Sequence, residues 1–153
     1  MKNIRILFLY PPEQSWPKTM VKPNGSLAYP YLGGALRDIN VESYVYDACV
    51  GNDDDNLDDF FNKSSELPTG MIRTGVSDER ILEIASNYDA IGITSIFSQQ
   101  ETQVLNCAKI IKKKFPNKLL FQAVSMLNLD LLFFLQLALI SFLHLSLKLL
   151  FSK

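Results

Sequence analysis

The order of apolar segments along this 153-residue chain predicts an α/β fold, an open parallel sheet with helices on both faces. Three observations predict it. Short apolar runs of strand length (4–10, 90–94 and one beginning at Leu119) resemble helix-covered parallel strands, which are buried on both faces. Between them lie segments whose apolar residues recur at helical spacing. The resulting order, strand–helix–strand–helix–strand–helix–strand, implies a parallel sheet with right-handed crossovers.

Each element has its own justification. Ile4 to Tyr10 is rich in β-branched and aromatic residues and is closed by Pro11 and Pro12. Glu13 to Ser26 carries Pro17, Pro23, Asn24 and Gly25 and reads as a loop. A helix is expected from about Ala28 to Ile39. Pro30 suits its first turn, where a missing N–H costs nothing, and Leu32, Ala35, Leu36 and Ile39 share a face. Gly33 and Gly34 each lower helix propensity by roughly 1 kcal/mol, which points to close backbone approach. Val41 to Tyr46 alternates apolar and polar residues and ends at Asp47, giving a second strand.

Ala48 to Val76 is a long connection, a length that is usually functional or flexible, with a short helix expected around Leu57 to Asn62. Ser77 or Asp78 caps a helix through about Asn87, with Ile81, Leu82, Ile84 and Ala85 inward. Ala90 to Thr94 is a third strand, with Gly92 a close-packing glycine, and Ser95 to Gln100 a loop. Glu101 to Phe115 is a helix with Val104, Leu105, Ala108 and Ile111 on one face and Lys109, Lys112 and Lys113 on the other. Pro116 and Asn117 stop it, and Leu119 to Ala123 begins a fourth strand. Ligands of such sheets bind beyond the carboxyl ends of the strands, where strand order reverses. That directs attention to the loops after Tyr10, Asp47 and Thr94.

Composition excludes several functions. A net charge of -1 without a basic stripe gives no footprint for nucleic acid. The stretch Asp53, Asp54, Asp55, Asp58, Asp59 lacks the ligand and glycine spacing of a calcium loop and reads as solvated surface. Cys49 and Cys107 are too few for a disulfide framework or a zinc site and suit a reducing cytosol. The start, MKNIRILFLYPPE, has a short apolar run interrupted by Arg5 and no small-residue cleavage site, unlike a signal peptide. A phosphoacceptor receiver would need acids after the first strand and an Asp closing the third. A flavodoxin would need a hydroxyl- and glycine-rich phosphate loop, and a dinucleotide fold G-x-G-x-x-G. Pro11-Pro12-Glu13-Gln14 and Thr94-Ser95 satisfy none of these.

One pattern does fit. IRILFLYPPE, SLAYPYLGGALRD, VESYVYDA, YDAIGITSIFSQQ and AKIIKKKFPNK occur in the order seen in the N-terminal cobalamin-binding domain of cobalamin-dependent radical S-adenosylmethionine enzymes. The chain resembles that domain over residues 3 to about 120. The resemblance implies a flavodoxin-like or Rossmann-like cobalamin-binding fold. It further implies that Pro11 and Pro12 shape the loop beneath the corrin, that Asp47 stands beside the ligand, and that Thr94 and Ser95 face its nucleotide tail. Read alone, Ser95 would rather cap the helix that follows. No metal-ligating or catalytic residue is implied. In the resembled enzymes cobalamin holds and transfers a methyl group, and a barrel with Cys-x-x-x-Cys-x-x-Cys supplies an iron–sulfur cluster and S-adenosylmethionine. That cysteine motif is missing, so the chain by itself is not expected to be a complete enzyme. Two further departures stand out. The first loop lacks the His of Asp-x-His-x-x-Gly, the only His being His144. Where the family's fourth strand ends in Gly-Gly, this chain reads FQAVSML.

The last segment differs in kind. Residues 119–153 hold fourteen Leu and five Phe, with Asp130, Lys148 and Lys153 the only charges. The expected division is a truncated cobalamin-binding domain over 1–120 and a hydrophobic tail over 121–153. Three accounts of the tail compete: a change of reading frame near Leu120, a membrane anchor through 131–151, and a buried hydrophobic helix. An anchor would be short, because roughly 20 apolar residues span a bilayer. The expectation is therefore a cytoplasmic corrinoid-binding domain. The alternative is a small membrane-anchored α/β binding or interaction protein.

Overall fold

The computed structural model describes residues 4–19, 28–37, 41–56, 58, 65–95 and 100–124. Its main sheet is parallel and holds β1 (Ile4–Tyr10), β3 (Val41–Asp47), β6 (Ala90–Ser95) and β7 (Leu119–Val124), in the spatial order β3-β1-β6-β7. β1 pairs with β3 from Ile4↔Val41 to Tyr10↔Asp47, and with β6 from Ile6↔Ala90 to Leu9↔Ile93. The direction of winding reverses at β1, so the switch point opens beyond the carboxyl ends of β1 and β6.

β1 is apolar throughout because both its faces are covered. Leu7 and Leu9 point to one face and join Ile91 and Ile93 of β6. That face is covered by α2 (Asp78–Ser86), through Ile81 and Ala85, and by α3 (Glu101–Lys114), through Val104, Cys107 and Ile111. Ile6, Phe8 and Tyr10 point the other way and meet Tyr29 and Leu36 of α1 (Ala28–Leu36). Full burial of each Leu or Ile stabilises by about 1.5–3 kcal/mol, so β1 anchors two cores at once.

The helices end as their residues dictate. Ser77 caps α2, its hydroxyl accepting the Arg80 N–H at 3.2 Å, and Asp78 and Glu79 occupy the first turn where negative charge is favoured. Lys118 Nζ donates to the carbonyls of Ala85 and Ser86 at the end of α2. α3 closes with Lys112, Lys113 and Lys114 in its last turn.

Several details differ from the sequence expectation. Glu13 to Ser15 is a strand, β2, rather than loop, and the long connection contains β4 (Ser65–Glu66) and β5 (Ile72–Thr74); these form a second, antiparallel sheet in the order β2-β5-β4. Strands of two or three residues are too short to show a periodicity. Leu105 is 58% exposed, and the inward face of α3 is completed by Gln103 and Cys107 instead. α1 stops at Leu36, Ala35 is exposed, and Tyr29 takes the buried position. Gly33 does permit close approach, since a Cβ there would lie 2.9 Å from Ser43 Oγ, but a Cβ on Gly34 would meet nothing within 4 Å. Ser95 belongs to β6 and does not cap α3, whose N-cap is Gln100.

The acidic stretch is not uniformly solvated surface. Asp53 and Asp54 are exposed, but the Asp55 side chain is 7% exposed and pairs with Arg80 Nε at 2.8 Å. It also accepts the Tyr46 hydroxyl at 2.9 Å and the Asn52 N–H at 3.0 Å. Burial acts to raise its pKa; the bonds from Asn52, Arg80 and Tyr46 outweigh that and lower it. Most of the short helix expected over 57–62, and the whole tail from 125, lie outside the described residues. No helix among the described residues is long and apolar enough to cross a membrane.

Candidate functional site

The candidate site is the carboxyl edge of the parallel sheet on the α1 side. Tyr10 and Asp47 are ladder partners, so both face α1, and Tyr29 from the first turn of α1 packs against Tyr10 and Cys49. Pro11 and Pro12, both buried, turn the chain out of β1 into β2. Thr94 and Ser95 end β6 at the same edge, paired with Ala123 and Val124 of β7. The five residues singled out from the sequence, Pro11, Pro12, Asp47, Thr94 and Ser95, thus end three neighbouring strands or lie immediately beyond them.

Backbone bonds fix this corner. The Ala48 N–H donates to the Tyr10 carbonyl at 2.9 Å, and the Val76 N–H donates to the Ala48 carbonyl at 2.8 Å. Gly75 makes the second contact possible: its φ is +131°, and a Cβ there would collide with the Ala48 carbonyl. The Cys49 N–H donates to Asp47 Oδ1 at 2.8 Å, and the Cys49 thiol donates to the Pro11 carbonyl at 3.3 Å. Gln100 Nε2 donates to Tyr10 Oη at 3.0 Å, both side chains being buried, which ties the start of α3 to the end of β1.

The corner is acidic and partly dry. Burial raises the pKa of Asp47, and it prevails over the N–H groups of Cys49 and Val50, which act to lower it. Burial also raises Glu13, with the Asp47 charge adding to the effect. The Cys49 thiol is pushed far up by burial and by the charges of Asp47 and Glu13, so it is not poised as a thiolate nucleophile. Tyr29 is 4% exposed, and its hydroxyl has no hydrogen-bond partner among the described residues. Burial and the nearby Asp47, Tyr10 and Cys49 hold it firmly protonated. An orphaned buried hydroxyl is uncommon, and each one calls for an explanation. A ligand group that accepts its hydrogen bond would supply one.

Sequence reasoning missed four participants. Tyr29 lies within the expected first helix and Gln100 just before the expected last one, and both belong to segments that carry the resemblance, but neither was singled out as a site residue. Cys49 is buried, and its place beside Asp47 follows only from the turn after β3. Glu13 was assigned to a loop. A polar chain behind the site was also invisible: Gln103 Nε2 donates to Gln14 Oε1 at 3.0 Å, and Arg73 donates to Gln103, the Val76 carbonyl and Asp78. It fastens the small sheet to α3 and α2.

Among the described residues no group of three or more His, Cys, Asp or Glu could hold a metal ion. The corner can bind by hydrogen bonding: two carboxyl groups biased toward holding protons, one unpaired hydroxyl, and the strand-end backbone. No family model, no curated protein and no solved structure matches this chain.

Proposed function

We propose that the α/β region binds a corrinoid at the carboxyl edge of β1, β3 and β6, in the manner of the N-terminal domain of cobalamin-dependent radical S-adenosylmethionine enzymes. The single observation that carries this reading is the Tyr29 hydroxyl, buried and without a partner among the described residues, at the edge where the strands within the resembling segments IRILFLYPPE, VESYVYDA and YDAIGITSIFSQQ end. The residues fit the polar periphery of a corrinoid. Tyr29 would donate to it, Asp47 and Glu13 would exchange hydrogen bonds with amide groups, and Pro11 and Pro12 would hold the loop beneath the ring. Thr94 and Ser95 would lie toward the nucleotide tail. Bound cobalamin supplies methyl-transfer chemistry at cobalt; the chain's own part is to bind and orient it and to exclude water. The departure at β7, where Gln122, Ala123 and Val124 stand in place of Gly-Gly, predicts weaker binding than in a domain that keeps the glycines.

His144, the only histidine, lies outside the described residues, and the loop after β1 has none. Cobalt is therefore expected to receive no imidazole from the domain. The test uses cob(II)inamide, which carries no nucleotide base, bound to the full chain and read by electron paramagnetic resonance. The expected spectrum has no nitrogen splitting from the protein; a nitrogen triplet would overturn the His-free reading. Failure of cobalamin to change its absorbance on titration with the protein would overturn corrinoid binding itself. The rival reading, a membrane-anchored interaction protein, draws only on the apolar composition of residues 131–151.

A further inference from the structure

α1 lies across β3, the edge strand of the main sheet, and an open groove of ≈ 490 Å³ runs between them. Its lining includes Tyr29, Gly33, Gly34, Arg37, Ser43 and Val45. Tyr29 and Gly33 are spaced four residues apart on α1, and Arg37 follows at the same spacing in the turn just beyond it, so the three continue one stripe. The volume falls within the span of roughly 300–1,000 Å³ typical of small-molecule sites.

Three features set this groove apart from an ordinary helix–strand seam. Gly33 lets the helix approach Ser43 closely, whereas Gly34 leaves bare backbone facing open space. Arg37 is exposed, and its guanidinium makes no hydrogen bond or ion pair among the described residues; the Ser43 hydroxyl likewise has no protein partner there. Val45 is 53% exposed, an apolar wall that the described residues leave open. A positive fork, a hydroxyl and an apolar wall together match a ligand with one anionic end and an apolar body.

We propose that the α1–β3 groove, which shares Tyr29 with the carboxyl edge, is a further ligand site taking a small organic oxyanion. Its carboxylate or phosphate group pairs with Arg37 and Ser43, and its apolar body lies along Val45 and the Gly33–Gly34 backbone. The site does not depend on corrinoid binding, and corrinoid absorbance reports nothing about it, so the two readings fail separately.

The structure offers a clean occlusion variant. Gly34 lines the groove and a Cβ there meets nothing within 4 Å, so Gly34→Leu adds bulk at the lining and Gly34→Ala adds little. The experiment titrates the ¹⁵N-labelled full chain with phenyl phosphate, phenylacetate and the neutral benzyl alcohol, following amide shifts by NMR. One or both anions should saturably shift the amides of Gly33, Gly34 and Ser43, and benzyl alcohol should not; the ranking of the two anions tells phosphate from carboxylate. Arg37→Gln should weaken the anion by about tenfold or more, equivalent to the loss of roughly 1.4 kcal/mol. Gly34→Leu should abolish the shifts while Gly34→Ala keeps them, with far-UV circular dichroism confirming that each variant folds. Should Gly34→Leu misfold, the Arg37→Gln titration decides alone. The proposal is overturned if neither anion binds saturably, if benzyl alcohol binds as well, or if Arg37→Gln or a folded Gly34→Leu binds like the parent.

Discussion

Replacing Asp55 with Ala should destabilise the chain far more than the same change at Asp54. Asp55 accepts three hydrogen bonds, from Arg80 at 2.8 Å, Tyr46 at 2.9 Å and Asn52 at 3.0 Å, while its own side chain is 7% exposed. Tyr46 is 3% exposed, so its hydroxyl has little access to water once the acceptor is gone. Leaving such a donor unsatisfied costs about 1–3 kcal/mol. Arg80 is 22% exposed and keeps Glu83 at 2.9 Å, so its lost partner is discounted toward the surface-pair value of about 0–1 kcal/mol. The sum, taken mid-range, is about 2–3 kcal/mol. Asp54 is exposed, and its change should stay within about 0.5 kcal/mol. The assay is urea unfolding followed by far-UV circular dichroism for both variants and the parent. The pKa of Asp55 is lowered in the folded state, so its contribution is present above the unfolded value near 4 and disappears as pH falls through the folded value. The difference between parent and Asp55→Ala should therefore shrink below about pH 4. Equal midpoints for the two variants at pH 7, or a gap that persists undiminished in acid, would refute the reasoning.

Two other outcomes follow from the packing. A Cβ on Gly92 would overlap the Phe121 ring and lie 3.2 Å from Phe8 Cδ1, so Gly92→Ala should cost about 1–3 kcal/mol; Phe121→Leu in the same chain should recover part of it, and a double-mutant cycle measures the coupling. Burial raises the pKa of Asp47, so its ionised form costs stability once pH exceeds the unfolded value near 4. Asp47→Asn should raise the melting temperature at pH 7, with the gain vanishing below about pH 4, and a melting temperature that falls at pH 7 would show that the carboxylate is instead needed for the fold.

The parallel sheet was legible because burial on both faces leaves a strong mark. Ile4–Tyr10 and Ala90–Ser95 are nearly uninterrupted apolar runs, and no helix pattern competes with them. Helix boundaries were readable where a cap was present, as at Ser77, and less so at α1, where two glycines and Pro30 blur the periodicity. The small sheet was not legible: Glu13–Ser15 pairs with Ile72–Thr74 across nearly sixty residues of chain, and the other neighbour of Ile72–Thr74 is the two-residue strand Ser65–Glu66. The candidate site was half legible. The strand pattern pointed to the loops after Tyr10, Asp47 and Thr94, and the resemblance implied Pro11, Pro12, Asp47, Thr94 and Ser95, which lie at one edge because they end neighbouring strands or follow them. Tyr29, Glu13 and Gln100 reach that edge from other elements, and no local spacing announces them. Leu105 shows the opposite failure, an apolar residue at a plausible helical position that tertiary packing leaves outside.

The short second sheet also implies two speeds of opening. β2, β4 and β5 offer only two or three residues each, and side-chain amides rather than an apolar core hold them against α3. Central amides of β1, flanked by ladders on both sides, should exchange with solvent only when the whole domain unfolds. Those of β5 should exchange through a smaller fluctuation that parts Gln14 from Gln103 and leaves the parallel sheet intact. Such a fluctuation would bare the chain around Pro11 and Pro12 without dismantling the strands beneath, giving a bulky guest a route in that does not require global unfolding.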